Sequence, residues 1–308
     1  MNKCPLTYHP CNNKKYSDEG LRKLSVKLTS LEDMPLTAEG LRQEAMVRAA
    51  KMSIQGAQPK LSVKLNIAQG KFDIVDTNGK YILKPQTFFK EVPENEDLTM
   101  HMAKVAGIEV PLHGMVYAKD GTLCYFIKRF DRKSHNKKIP LEDFAQLAGK
   151  ERETKYNYSM EKLSEIIEQF CTFPAREMPK LFRITLFCYL TGNEDMHLKN
   201  FSLIKRNNII ELSPAYDHLN STIAMTNATE ELALTLNGKK SNLTRKDLVE
   251  YYGKERLSIP GKIIENILHD LDKAKKSWEN LINTSFLSDS MKGNYFGVLK
   301  KRLAVLGL

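Results

Sequence analysis

The stretch TGNEDMHLKNFSLI, residues 191–204, sets Asp195 and Asn200 with four residues between them. A carboxylate there could accept a hydrogen bond, and then a proton, from an attacking hydroxyl. A carboxamide one loop further on could turn its oxygen toward a hard divalent cation. A polar helix-to-strand loop would carry the same two residues with no such role. Further along, SPAYDHLNS places Asp217 at a strand end. Upstream, YILKPQ puts Lys84 inside an apolar strand, where an ammonium must snorkel to water or find an anion. Glu96, on the helix that follows, could pair with Lys84 or stand as a solvated first-turn acid. In SIQGAQPKLSVKL, the backbone of Gly56 can approach a phosphate without interference from a Cβ. A plain turn before a strand is the other reading of that stretch.

These residues need elements to position them. Residues 1–35 look irregular and polar, and residues 38–52 could form a helix. LSVKLNI alternates as a strand does, with Leu61, Val63, Leu65 and Ile67 on one face. KFDIVDTNGKYILKP holds two strand-like runs around an Asn-Gly pair, a strong hairpin signal. Residues 94–106 suggest a helix with Leu98, Met102 and Val105 on one stripe. MVYAKDGTLCYFIKRFD suggests a hairpin turning at Asp120-Gly121. After Asp131 the texture changes: residues 160–171, 174–191, 244–252, 260–285 and 292–306 carry helical periodicity. Thr244 and Asp247 resemble a capping box. FSLIKRNNIIEL interrupts the helices with two strands turning at Asn207-Asn208. The expectation is an α+β protein of two lobes, strand-rich over 1–130 and helical over 131–308, with a cleft between them.

Composition narrows the class without choosing a partner. The 308 residues are 42% hydrophobic and 27% charged, as in soluble globular proteins. A formal net charge of +10 suits a nucleotide, a nucleic acid or an acidic protein face. No apolar run reaches the roughly 18 residues that span a bilayer, and the N-terminus lacks a signal-peptide core. A cytoplasmic protein with no membrane partner is expected. The odd count of five cysteines, widely spaced, argues against a disulfide framework. Cys4, His9 and Cys11 could hold zinc only if His113 or another side chain completed four ligands.

The order of these features is more specific than any one of them. It is phosphate loop, strand lysine, helix glutamate, hinge, Asp-x4-Asn, strand pair and a second aspartate. Protein kinases use the same Asp-x4-Asn spacing in their catalytic loop and place a metal-binding aspartate after it. The segments SIQGAQPKLSVKL, YILKPQ, FIKRFDR, GNEDMHLKNFSLI and LSPAYDHLNS resemble successive signatures of the HipA-like serine/threonine kinases, toxins of bacterial toxin–antitoxin systems. The resemblance covers roughly residues 50–308, and the short chain is similar to the HipT-type members. It implies a two-lobed protein-kinase-like fold using ATP and Mg2+. Asp195 would be the catalytic base, and Asn200 and Asp217 the magnesium ligands. Lys84 would bind the nucleotide phosphates beneath a loop of Gln55, Gly56, Ala57, Gln58, Pro59 and Lys60. Lys128, Arg129 and Phe130 would form the hinge at the adenine. His197, Leu198, Lys199, Asn200, Tyr216 and Asp217 would contact the nucleotide, and Ser53 would be autophosphorylated. The resemblance further implies an aminoacyl-tRNA synthetase as protein substrate and a DNA-binding antitoxin as partner, with DNA touched only through it. A separate small protein would stand in for the amino-terminal subdomain of longer relatives. Two positions depart from the family: Lys128 replaces a frequent acid, and Gln55 replaces a small residue or second serine.

Two other readings fit the same composition. One is a basic nucleic-acid-binding or scaffold protein on an inactive kinase-like fold. The other is a phosphotransferase acting on a small molecule. The joint presence of Lys84, Asp195, Asn200 and Asp217 favours an active enzyme over a scaffold; these residues do not choose between a protein and a small-molecule acceptor.

Overall fold

Residues 2–35 are irregular apart from one short helix, but they are not simply polar. A computed structural model, describing residues 2–49, 58–133, 137–151, 154–225 and 229–308, shows them folded against a sheet. Helix α1 (Asp18–Leu24) is capped by Ser17, whose hydroxyl accepts from the Gly20 amide. Cys4, Leu6, Leu21, Leu24, Leu28 and Leu31 are buried in one core with Leu61, Val63 and Phe126. These apolar residues follow no single period, so no window of sequence shows them as an element. All five cysteines are buried free thiols. The Cys11 thiol donates to the Lys14 carbonyl, and the exposed His9 ring pairs with Glu19. His113 Nδ1 lies 2.9 Å from Asp97 Oδ1, and Tyr8 donates to the other oxygen of that carboxylate. Among the described residues, Cys4, His9 and Cys11 do not converge as metal ligands.

Helix α2 (Ala38–Ala49) leads toward the five-stranded antiparallel sheet. Its strands are β1 (Leu61–Asn66), β2 (Lys71–Ile74), β3 (Tyr81–Lys84), β4 (His113–Tyr117) and β5 (Leu123–Lys128), in the order β2-β1-β3-β5-β4. Helix α3 (Val92–Val105) lies between β3 and β4 in the chain. The β4–β5 hairpin turns at Asp120-Gly121 as the sequence suggests, with Gly121 at φ +80°.

The Asn78-Gly79 pair does not make a hairpin. β1 lies between β2 and β3, pairing Val63 with both Ile74 and Tyr81. The tight turn is instead at 67–70, closed by Gly70 at φ +60°, with the Gln69 amide donating to the Asn66 side chain. Gly79 serves close approach: a Cβ there would lie 1.9 Å from the Ser62 hydroxyl oxygen. Two further expectations fail at element ends. Ile67 lies beyond β1 and is 42% exposed, and Val105, at the end of α3, is also exposed. In α3, Asn95, Asp97 and Thr99 are buried along with Leu98 and Met102, so no single apolar stripe defines its packing.

The chain divides into two units. The first holds Met1–Leu98, Pro111–Asn136 and Thr284–Leu287; the second holds Thr99–Val110, Lys137–Asn283 and Ser288–Leu308. In the second, β6 (Leu141–Asp143) leads into the short α4 (Phe144–Leu147), then α5 (Met160–Phe170) and α6 (Pro174–Thr191). Strands β7 (Ser202–Arg206) and β8 (Ile209–Leu212) form the expected hairpin, with Asn207 and Asn208 both at positive φ. β6 adds a third strand on β7, which its three residues gave no periodicity to reveal. The short α7 (Ser221–Ala224) follows, and then α8 (Gly261–Thr284) and α9 (Asp289–Leu306). Between α7 and α8, Lys246–Arg256 is wound as a π-helix. Thr244 and Asp247 form the capping box ahead of it: the Asp247 amide donates to the Thr244 hydroxyl, and the Thr244 amide to the Asp247 carboxylate. Phe182, Phe187, Tyr189, Tyr252, Trp278 and Tyr295 are fully buried in this unit. No helix among the described residues is long and apolar enough to cross a membrane.

Glu94, in the first turn of α3, makes stability depend on pH. Burial, with Glu91 and Asp97 adding repulsion, pushes its carboxyl up to about 7 against the backbone hydrogen bond that lowers it. Its Oε2 is buried without a hydrogen-bond partner among the described residues. A carboxyl raised on folding is protonated in the native chain while ionised in the unfolded one, so stability falls as pH rises toward about 7. Glu94→Gln is expected to remove that fall and to gain on the order of 3 kcal/mol at pH 8, with little change near pH 4. Urea unfolding at the two pH values checks it; equal effects at both would be the contrary result.

Candidate active site

The first unit holds a buried ion pair. β3 runs between β1 and β5, with Lys84 opposite Tyr125. Lys84 Nζ lies 2.5 Å from Glu96 Oε1, and both side chains are at most 4% exposed. The same ammonium lies 5.6 Å from the centre of the Tyr125 ring. The apolar strand thus carries its lysine inward to a carboxylate on α3. Burying two charges is sustained only by close geometry and further polar contacts.

Lys128 ends β5 and is exposed. Arg129 makes a two-pronged bond to Asp131, through Nε at 3.0 Å and Nη2 at 2.8 Å. Phe130 is half-buried. The Lys128 and Arg129 amides donate to the carbonyls of Leu112 and Lys80. Their backbone and the Arg129 head are therefore engaged within this unit. Gln58, Pro59 and Lys60 are half-buried and run into β1. Ser53, Gln55, Gly56 and Ala57 lie outside the described residues.

The second unit holds the loop after α6. Gly192, at φ +74°, ends the helix. The loop is held from below. The Glu194 amide donates to the Ser221 hydroxyl at 2.7 Å, which itself donates to the Gly192 carbonyl. Thr222 donates to Glu194 Oε1 at 2.6 Å, and Arg302 lies 3.8 Å from the same oxygen. Arg302 also donates to the Tyr189 carbonyl, tying α9 to the end of α6. None of these supporting residues stands out in the sequence, because each is an ordinary polar residue until the fold brings it to the loop.

Asp195 is 46% exposed, its amide bonded to the Asn193 side chain. Its backbone carbonyl accepts from the His197 amide at 2.8 Å and from Asn200 Nδ2 at 2.8 Å. The second bond fixes the orientation of the Asn200 amide, leaving Oδ1 on the other side as an acceptor. Leu198 is buried, anchoring a 3-10 turn, Leu198–Asn200, while Lys199 is half-buried. Tyr216 donates to the Lys199 carbonyl at 3.0 Å and also bonds to the Ser202 hydroxyl. Asp217 follows at φ +57°, a left-handed backbone that aspartate tolerates better than most residues. His218 is buried, and burial pushes its ring down to about 4, so it is neutral.

His197 is central to the electrostatics. Burial holds its ring below the usual range; Asp195 and Asp217 pull it upward, and Lys155 pushes it down. Lys155 Nζ lies 2.6 Å from Nε2, and the buried Nδ1 has no partner among the described residues. Tyr156 donates to Asp195 Oδ1 and meets the His197 ring edge-on. Sequence reasoning missed Lys155 and Tyr156, since KYNYS matches no motif and its role depends on a contact 39 residues away.

Removing one partner of the buried pair should cost far more than removing both. Lys84→Met or Glu96→Leu alone is expected to lose about 3–5 kcal/mol by stranding a charge. The double variant should lose less than the sum, read as a coupling energy in a denaturation cycle. Additive losses would show that the pair is not a unit.

Residues 52–278 match the family model described as HipA-like C-terminal domain. A Haemophilus influenzae protein named "Putative kinase" is 29% identical, over 100% of this chain and 98% of its own. A Sinorhizobium fredii protein, "Putative kinase Y4dM", is 30% identical over 80% of this chain and 64% of its own. The serine/threonine-protein kinase toxin HipA of Shewanella oneidensis is 28% identical over 54% of this chain and 42% of its own. Among solved structures, HipA of Shewanella oneidensis, in complex with HipB and operator DNA, superposes with a TM-score of 0.71. It is 21% identical and covers 91% of this chain and 74% of its own. The Helicobacter pylori proinflammatory kinase CtkA superposes with a TM-score of 0.53, at 17% identity, covering 79% and 92%. The strand-rich and helical parts are those of a kinase-like fold, and the chain belongs to the HipA-like family.

Proposed function

We propose that the chain is an ATP-dependent serine/threonine kinase and the toxin of a toxin–antitoxin pair. The observation that carries this reading is the bond from Asn200 Nδ2 to the Asp195 carbonyl, which sets the Asn200 amide oxygen on the same loop as the half-exposed Asp195 carboxylate. Asn200 Oδ1 and the Asp217 carboxylate are hard oxygen donors, a set that fits Mg2+. The orphaned buried Nδ1 of His197 fits a nucleotide oxygen. When bound, ATP supplies the transferable phosphoryl group. Lys84, held by Glu96, would bind the phosphates, and residues 58–60 continue the loop that would cover them. The Asp195 carboxylate would orient the acceptor hydroxyl and take its proton.

In this reading residues 1–130 supply the phosphate grip and residues 131–308 the catalytic loop. The acceptor would be an aminoacyl-tRNA synthetase, whose modification stops translation, and Ser53 would be an inhibitory autophosphorylation site. A DNA-binding antitoxin is the proposed partner, supported by the HipB complex of the Shewanella relative. A small separate protein as a further partner belongs to the same proposal.

The test uses the purified chain with ATP, with and without Mg2+. Saturating Mg-ATP should raise the melting temperature, by about 2.7 kcal/mol of linkage at a hundredfold excess over Kd. Asp195→Asn should keep that shift and lose phosphoryl transfer by roughly 10²–10⁴-fold. Asp217→Asn should lose the magnesium-dependent shift. In a bacterial lysate, phosphopeptides on a synthetase, and on Ser53 of the chain itself, should appear with wild type and not with Asp195→Asn. Equal transfer by the two forms would remove Asp195 from the chemistry.

A further inference from the structure

The hydroxyl of Tyr156 donates its hydrogen bond to Oδ1 of Asp195. That is the ground-state geometry of an acceptor on a general base, with the proton on the hydroxyl and the carboxylate ready to take it. The contact is built. The Lys155 carbonyl accepts from the Leu198 amide at 3.4 Å, and the Tyr158 carbonyl accepts from the Thr235 hydroxyl at 3.4 Å. The phenol ring stands edge-on to His197, 5.0 Å between centres at 80°. Lys155 Nζ lies 4.8 Å from the ring centre, and Lys240 Nζ 6.0 Å. Glu230 pairs with Lys240 at 3.2 Å. Burial and the nearby Asp195 raise the phenol above its usual range, keeping it a donor at neutral pH. Tyr156 is nevertheless 37% exposed.

We infer that Tyr156 is an intramolecular phosphate acceptor, modified by the chain's own Asp195. The inference rests on the kinase reading above. In the step, Tyr156 Oη bonds to the γ-phosphorus of ATP and its proton passes to Asp195. The bond from that phosphorus to the β–γ bridging oxygen breaks, and ADP leaves with the electron pair. A tethered acceptor needs no recognition of its own, since effective molarities of oriented groups reach about 10⁵ M and above. Tyrosine can therefore be modified here although serine or threonine is the proposed external acceptor. The product carries roughly −1.5 to −2 charges and is repelled by the Asp195 carboxylate. Lys155 and Lys240 flank the ring and offer it cationic partners. Modification thus moves the phenol off the base and opens Asp195 to an external hydroxyl.

Phosphopeptide mapping of the full chain after incubation with Mg-ATP tests this, with dephosphorylated casein as the external acceptor. Phosphate on Tyr156 is expected in wild type, reduced roughly 10²–10⁴-fold in Asp195→Asn and absent in Tyr156→Phe. Its initial rate per molecule should not change on tenfold dilution of the protein. Inert Asp195→Asn mixed with active chain should stay unmodified at Tyr156. Labelled casein with no phosphate on Tyr156 would overturn the inference and leave the kinase reading standing. Transfer to Tyr156 of the inert chain in the mixture would overturn the intramolecular step. No transfer to any acceptor would remove the kinase reading and this inference together.

Discussion

Two opposite charges taken out of water set the strongest local constraint in the first unit. Lys84 and Glu96 meet at 2.5 Å with almost no exposure. Separated, each charge would lose its close opposite partner inside the protein, so the distance from β3 to α3 has little freedom. The surrounding packing follows from this. β3 must lie inside the sheet, between β1 and β5, for its lysine to be covered. The first 35 residues pack on the other face of this strand, burying Leu6, Leu21, Leu28 and Leu31 in the core that holds Leu61, Leu83 and Phe126.

The second unit holds its loop by a different device. Hydrogen bonds to the loop backbone do this, with the little-exposed Arg302 and Glu194 side chains 3.8 Å apart beside them. Ser221 and Thr222 both reach the Gly192 carbonyl, and the Asp195 carbonyl collects two donors from its own loop. Arg302 reaches the Tyr189 carbonyl and approaches Glu194. The outcome is a fixed backbone bearing an exposed carboxylate, the arrangement a general base requires. The scaffold is polar, so its precision depends on every partner being present.

Much of this was legible in the letters, where a local rule controlled the local structure. Asn207-Asn208 turned a hairpin because both residues tolerate positive φ. The Thr244–Asp247 box capped a helix as its spacing implies. The segments that carry Lys84, Asp195 and Asp217 also carried the family resemblance. What was not legible depended on neighbours distant in sequence. Asn78-Gly79 carried a hairpin signal, but Gly79 serves to let the backbone pass Ser62. β6 is three residues long and becomes a strand only by pairing with β7. Tyr156 had no motif at all; its position depends on a loop that follows α6.

The left-handed backbone at Asp217 has a consequence for which amino acids the position can accept. Glycine and asparagine adopt φ +57° at low cost but bring no charge. Glutamate brings the charge on a longer arm and lacks the short side chain that eases this conformation. Aspartate combines a short side chain that eases this backbone with a negative charge, which no other residue does at comparable cost. The site is mutationally isolated: a neighbouring sequence must give up either the geometry or the charge. Asparagine separates the two demands, giving up the charge and keeping the chain's path.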